Sequence, residues 1–304
     1  MLLGLHHVTA LAGDPQRNLD FYAGFLGLRL VKRTVNFDEP HTYHFYFGDR
    51  AGTPGTLLTF FTWPGAFRGR RGSGQAVAVS FAIPANTLGR WIERARIAGV
   101  PRTGPETRFG EELITIEDGD GVAIELVASA PKSDDDAIVR LHSVTLCESD
   151  AEGTTALLQE NLGFRSISEE GARARFDLAG SHLDIVRIPG AERGKMSVGA
   201  IHHVAWRVKD EAEQLEWRTK LVESLLRVSA VRDRKYFRSI YFREPGGILF
   251  EIATDGPGFA VDEPPEALGT GLCLPPWLES VRSGIERRLP AVTWRETEWL
   301  VKTP

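Results

Sequence analysis

Two cysteines, Cys147 and Cys273, are all that 304 residues contain. Two thiols make no disulfide framework, which fits a reducing compartment. Positive charge is not in excess either: 36 basic side chains face 41 acidic ones, for a formal net charge of −5. Nucleic acid is therefore not an expected partner. The basic runs "FRGRRG" (Phe67 to Gly72) and "RDRKYFR" (Arg232 to Arg238) are short and read as solvated loops or strand edges. No segment approaches the ~20 apolar residues of a membrane span. The first residues show no charged n-region and no apolar run ahead of His6, so no signal peptide is expected. These absences predict a soluble, cytoplasmic protein with no membrane partner. Histidine is also scarce, at eight residues. Yet four of the eight form two matched pairs, in "LHHVTA" (Leu5 to Ala10) and "IHHVAW" (Ile201 to Trp206).

The matched pairs belong to a longer repeat. Four segments share one outline: a short strand, a helix, then further strands. The first runs from about Leu5 to Phe61. Asp14 and Pro15 there predict a helix start, Leu19, Tyr22 and Leu26 an apolar stripe, and Gly27 a stop. The second runs from about Gln75 to Ala128, with a helix expected near Asn86 to Ala98. The linker "SAPKSDDDA" (Ser129 to Ala137) follows. The third segment starts with "LHSVTL" at Leu141, and the fourth with Ile201. The expected fold is α+β: curved mixed sheets with helices on their outer faces. The domains are drawn as residues 1–132 and 133–304. A tail from 256 to 304 fits no module, and a helix is expected there from Trp277 to Arg288.

Strand parity selects among the histidines. Leu5, His7 and Thr9 share one face, and His6, Val8 and Ala10 the other. In the fourth module His203 shares a face with Ala205 and Arg207, while His202 lies with Val204, Trp206 and Val208. The apolar set suits a face packed on a helix, so His7 and His203 are expected to face a cavity. The closing strands align on their glycines. "GTLLTF", "GVAIEL" and "GILFEI" place Thr59, Glu125 and Glu251 four residues after a glycine. A carboxylate between Phe250 and Ile252 is costly unless paired or ligated. Glu251 reads as a ligand, because its module also carries His203. Glu125 reads as a rim carboxylate or salt bridge. Two neutral imidazoles and one carboxylate suit Fe(II), with Mn(II) close behind, and would also hold Zn(II).

The stretches "HHVT", "DFYAGFLGLRLVKRTVNFDEP", "GTLLTFF", "HHVAWRV", "RDRKYFRSIYFREPGGILFEIATDGPGF" and "LPPWLE" resemble the vicinal oxygen chelate superfamily. Within it they resemble the extradiol-type ring-cleaving dioxygenases that open hydroquinones. The resemblance covers essentially the whole chain and implies four βαβββ modules forming two domains of curved mixed β-sheet (half-barrels). It implies one Fe(II), with Mn(II) as an alternative, held by His7, His203 and Glu251. It places His6, Thr9, His202, Arg234 and Tyr241 around substrate and oxygen. The implied partners are a small aromatic diol and O2. A homo-oligomer is compatible with the sequence.

Modules one and four must then share a barrel, leaving two and three together. Module three has Ser143 in the ligand position and module two has no histidine, so the second site is expected to be degenerate. His41, His44, His142 and His182 read as structural or surface residues. In an ideal pleat His6 and His202 point away from the metal, unless a bulge brings them round. Tyr241 shares a face with Glu251 only if the intervening loop has three or five residues. Two other readings stay open. One is a glyoxalase-like lyase or thiol transferase, whose fourth ligand slot here would be Thr59. The other is a metal-free small-molecule binding protein.

Overall fold

The computed structural model describes residues 1–293. The end of the tail, 294–304, lies outside the described residues. Module one comprises β1 (Leu5–Ala12), α1 (Pro15–Leu19), β2 (Arg29–Asn36), β3 (Glu39–Gly48) and β4 (Leu57–Thr62). Module two comprises β5 (Gln75–Pro84), α2 (Leu88–Ala98), β6 (Arg102–Arg108), β7 (Glu111–Glu117) and β8 (Ala123–Ala130). Module three comprises β9 (Arg140–Glu148), α3 (Glu152–Ala156), β10 (Arg165–Glu170), β11 (Arg173–Leu178) and β12 (Ser181–Arg187). Module four comprises β13 (Ile201–Val208), α4 (Glu211–Glu223), β14 (Arg232–Asp233), β15 (Phe237–Arg243) and β16 (Leu249–Pro257). A short helix, α5 (Arg282–Glu286), lies in the tail.

Two eight-stranded mixed sheets result. Their orders are β14-β15-β16-β13-β1-β4-β3-β2 and β10-β11-β12-β9-β5-β8-β7-β6. Modules one and four therefore form one half-barrel, and modules three and two the other. A cut at 132/133 falls in the linker between β8 and β9, and each sheet draws strands from both sides of it. In both sheets the leading strands of the paired modules meet antiparallel at the centre, β1 on β13 and β9 on β5. Each leading strand also runs parallel to the closing strand of its own module.

The convex faces share one apolar core. Leu19, Tyr22 and Leu26 are buried there, as their spacing predicts. The Asp14 carboxylate accepts from the Arg17 N–H, and Gly27 takes φ +71°. That helix does not stay regular: α1 passes into a π-helical turn over Asp20–Phe25. Helix α2 starts two residues later than expected, because the Asn86 side chain is bonded to the Ser133 backbone in the linker. Trp206 on β13 is fully buried, with Phe164 of module three edge-on at 4.9 Å and Phe250 at 5.6 Å. Truncating such an anchor costs about 3–5 kcal/mol. The tail helix expected over Trp277–Arg288 is instead a 3-10 segment, Pro276–Val281, followed by α5. The tail is pinned to module one by Lys32. That ammonium is fully buried, and it donates to Asp262 at 2.6 Å and to Glu263 at 2.5 Å.

Candidate metal centre

The concave face of the first half-barrel carries the polar groups. Glu251, His203 and His7 stand on three neighbouring strands, β16, β13 and β1. His7 Nε2 lies 3.2 Å from His203 Nε2. Glu251 Oε2 lies 3.0 Å from His203 Nε2 and 3.5 Å from His7 Nε2. All three residues are buried, and their donor atoms lie within 4.8 Å of one another. Glu251 Oε1 accepts from the Ser239 hydroxyl, whereas Oε2 makes no hydrogen bond. Burial opposes ionisation of the Glu251 carboxyl, and positive charge placed among the two imidazoles pulls it below its ordinary range. His7 and His203, which strand parity directs toward a cavity, line one together with Glu251.

Parity alone does not place His6 and His202. Leu5 pairs with Trp206 and His7 with Ala205, so His6 has no partner across the seam. Thr9 pairs with His203 and Ala10 with Ile201, so His202 has none either. Each is the extra residue of a β-bulge, which re-aims a side chain. Leu5 consequently joins Val8 and Ala10 in the core, not the face of His7 and Thr9. His202 turns into the cavity, against the ideal-pleat expectation, while His6 stays behind it.

The bulged histidines determine the tautomers of their neighbours. His6 Nε2 lies 3.1 Å from the Thr254 carbonyl, which can only accept, so Nε2 carries a proton. Burial and His7 lower the His6 pKa to about 3, so the ring is neutral and its Nδ1 is an acceptor. His7 Nδ1, 2.9 Å away, is then the donor, which leaves the lone pair of His7 Nε2 facing the centre. His202 Nδ1 lies 2.8 Å from His203 Nδ1 in the same way. Burial, then His203, lowers its pKa to about 3 as well. This is the outer-shell hydrogen bonding that orients imidazole ligands on a cation. The donor set fits a divalent metal: two bare Nε2 atoms and one orphaned carboxylate oxygen converge.

A cavity of about 240 Å³ opens over these three residues. That is below the roughly 300–1,000 Å³ of pockets for drug-sized ligands, and suits a single ring. Tyr241 stands on β15 directly opposite Glu251. Five residues, Glu244 to Ile248, separate the paired Arg243 and Leu249, so both side chains take the same face. Arg234 Nε donates to the Tyr241 hydroxyl oxygen at 3.1 Å, and Nη1 donates to Asp38 at 2.9 Å. Burial, then Glu251, raises the Tyr241 pKa, so the phenol stays protonated. Because its oxygen accepts from arginine, its proton is left for another acceptor.

Thr9 does not line the cavity. Its hydroxyl is 2.7 Å from that of Thr59, which lies 2.9 Å from His44 Nε2. His44 does line it, between Tyr46 and Phe61 at ring separations of 4.0 and 4.3 Å. This corrects the structural-or-surface reading of His44. Alternation along "YHFYF" was a usable signal, because Phe45 and Phe47 are core residues. Burial, then His7 and His203, pushes the His44 pKa well below 6.5. His142 and His182 lie in the other half-barrel beside Glu111 and Asp177, and His41 lies at the surface beside Arg288. Glu125 is no rim group: it is buried and bonded to Arg108 and Ser80.

The chain matches the family model for the Glyoxalase/Bleomycin resistance protein/Dioxygenase superfamily over residues 4–126 and 140–252. It is 42% identical to "Putative ring-cleaving dioxygenase MhqO" of Bacillus subtilis (strain 168), over 97% of this chain and 98% of that one. It is 33% identical to a chlorohydroquinone/hydroquinone 1,2-dioxygenase of Sphingobium indicum, over 94% and 95% of the two chains. A crystal structure titled as a putative dioxygenase from Bacillus subtilis superposes with TM-score 0.92 at 42% identity, covering 97% of this chain and 98% of that one. Among the described residues no helix is long and apolar enough to cross a membrane. Four βαβββ modules, their pairing into two half-barrels and these matches agree: the chain belongs to the glyoxalase/bleomycin resistance protein/dioxygenase superfamily.

Proposed function

We propose that this protein is a ring-cleaving dioxygenase, acting on a hydroquinone-type diol at a mononuclear Fe(II) held by His7, His203 and Glu251. The observation that carries the reading is the orphaned Glu251 Oε2 facing two bare imidazole nitrogens beneath a one-ring cavity. The names of the relatives from Bacillus subtilis and Sphingobium indicum support the substrate class. A bound divalent iron would supply Lewis acidity to one phenolic oxygen and a route for electrons from the ring to O2.

The protein's own groups do the rest. The cavity walls hold the ring in one orientation over the three ligands, which removes the entropy cost of the encounter. A para-diol cannot reach one metal with both hydroxyls. Its remote hydroxyl falls to the Tyr241 phenol, which Arg234 steadies. The Arg234 guanidinium, kept cationic by Tyr241 and Asp38, stabilises negative charge developing on the opened product. With His203 donating from Nδ1, neutral His202 keeps its remaining N–H on Nε2. There it can donate a hydrogen bond to the reacting oxygens. His6 and Thr9 act from behind, His6 on the tautomer of His7 and Thr9 through Thr59 on His44. Both atoms of O2 enter the product, one on each side of the broken carbon–carbon bond.

The test is an oxygen electrode with protein loaded anaerobically with Fe(II). Hydroquinone or a substituted hydroquinone should drive O2 uptake equal to substrate consumed, with loss of the aromatic absorbance. No uptake with any hydroquinone or catechol would refute the proposal. His203→Ala should lose its metal, and full retention would refute the ligand set.

A further inference from the structure

The second half-barrel carries its own cavity, of about 550 Å³, and the register identifies it as the counterpart of the first. Thr145 pairs with Ala78 as Thr9 pairs with His203. Ser80 pairs with Glu125 as Ala205 pairs with Glu251. Thr115 faces Glu125 as Tyr241 faces Glu251. Arg173 pairs with Val186 as His44 pairs with Phe61. Even the bulges are kept, with Val77 and His142 as the unpaired residues. Ser143 and Ala78 therefore stand where His7 and His203 would, and a metal has no ligand set there.

A cation is nonetheless present, because the guanidinium of Arg173 lines the cavity. Nη1 of Arg173 donates to Thr145 at 3.0 Å and to Asp184 at 3.1 Å. Its Nε and Nη2 have no hydrogen-bond partner among the described residues. The carboxylates around it are committed to other arginines as well: Glu106 and Glu125 to Arg108, Glu111 and Asp184 to Arg175, so what Arg173 keeps open is its donors. Asp184 is shared with Arg175, which holds it through two bonds. The Glu125 carboxylate also lines the cavity, but it is held by Arg108 and Ser80. Arg70 and Arg71 stand at the rim, paired with Glu192 and Glu117. Burial, then Arg108, lowers the Arg173 pKa against the opposing pull of Asp184 and Glu125. Around the guanidinium the lining turns apolar, with Val77, Ala78, Val186 and Ile188.

We infer that the second half-barrel is a binding site for a small organic monoanion, whose carboxylate meets the free edge of Arg173 and whose apolar body lies on the Val77–Val186 wall. A planar guanidinium edge with two open N–H donors is matched to a carboxylate. Among the described residues no metal ligand set stands in this cavity, and the inference is of binding alone.

4-Fluorobenzoate followed by fluorine NMR tests this on the intact protein. Saturable binding with a Kd of about 1 mM or tighter is expected. Arg173→Gln should weaken it about tenfold or more, the worth of a charge-assisted hydrogen bond. His203→Ala should leave it unchanged, since that residue belongs to the other cavity. Ile188 is 47% exposed at the mouth, so Ile188→Glu should fold normally and weaken binding by repulsion. The neutral 4-fluorobenzamide should not bind. Absence of binding, equal binding of the amide, or loss in His203→Ala with retention in Arg173→Gln would overturn the inference. If Arg173→Gln fails to fold, undiminished binding to Ile188→Glu overturns it instead. So would a change in sedimentation with Ile188→Glu and none in affinity, which would assign the mouth to a second copy of the chain.

Discussion

Glu148→Gln should make the protein more stable at alkaline pH and leave it nearly unchanged at acid pH. Glu148 ends β9 and is 1% exposed; Glu244, in the β15–β16 turn, is 2% exposed. Between them lies the Thr154 hydroxyl, 2.8 Å from Glu148 Oε2 and in contact with Glu244 Oε2. A hydroxyl has one proton to give, so one of the two carboxyls must be protonated and donate back. Glu244 accepts from the N–H groups of Gly246 and Ile248, which favours its anion. Glu148 has an oxygen with no partner and is the acid. Burial, then the Glu244 charge, pushes the Glu148 carboxyl up from 4.5 to about 7, with Asp150 adding to the rise. Among the described residues two cations bond this turn: Arg193 donates to the Gly246 carbonyl at 3.0 Å and Arg243 to the Gly247 carbonyl at 2.7 Å. A folded pKa above the unfolded one contributes stability that is complete below 4.5 and is lost as pH rises through about 7. That separation is worth roughly 3 kcal/mol. Glutamine keeps a donor for Thr154 and never ionises. Urea unfolding of both proteins near pH 5 and near pH 8.5 should show a variant-minus-wild-type gain of about 3 kcal/mol at the higher pH alone. A gain equal at both pH values, or none, would refute the shared proton.

Two further outcomes test the site and the tail. Tyr241→Phe removes the phenol that Arg234 holds but no metal ligand; kcat/KM for a hydroquinone should fall by about 10- to 100-fold with metal content unchanged, checked by oxygen uptake beside metal analysis. Lys32→Met leaves buried Glu263 without its cation, although Asp262 keeps Lys235, so denaturant unfolding should show a loss of about 3 kcal/mol.

Much of the centre was legible in "LHHVTA", "IHHVAW" and "GILFEI", because a strand has a period of two. Parity puts His7 and His203 on the cavity face, the glycine alignment of the closing strands adds Glu251, and Ser143 at the ligand position of module three with no histidine in module two foretells the module pairing. What parity cannot see is a bulge. His6 and His202 are each one residue too many for the seam, and that extra residue is a property of the pairing, not of either strand. Tyr241 hinged on the loop count: "EPGG" gives no length by itself, and the five-residue turn exists because Glu244 caps it through Gly246 and Ile248. His44 was missed for another reason. It lies two strands beyond His7, and its place at the cavity depends on the curvature of the whole sheet. Arg234 sits in a run that reads as a solvated edge, yet it turns inward to Tyr241 and Asp38.

The two half-barrels answer one electrostatic problem in two ways. Each buries a carboxylate at the same register position on its concave face, Glu251 in one and Glu125 in the other. A buried carboxylate without a cation costs several kcal/mol. In the second half-barrel arginines supply the charge: Arg108 holds Glu125, and Arg173 and Arg175 share Asp184. In the first, none of the described arginines bonds Glu251, for Arg234 is committed to Tyr241 and Asp38. What surrounds Glu251 Oε2 is two neutral imidazoles with lone pairs, which lower the cost of a carboxylate only if a cation stands among them. The duplicated scaffold thus has an internal control. Where the sequence has Ser143 and Ala78 in place of both histidines, a guanidinium fills the need; where it keeps them, the proposed metal would supply the positive charge.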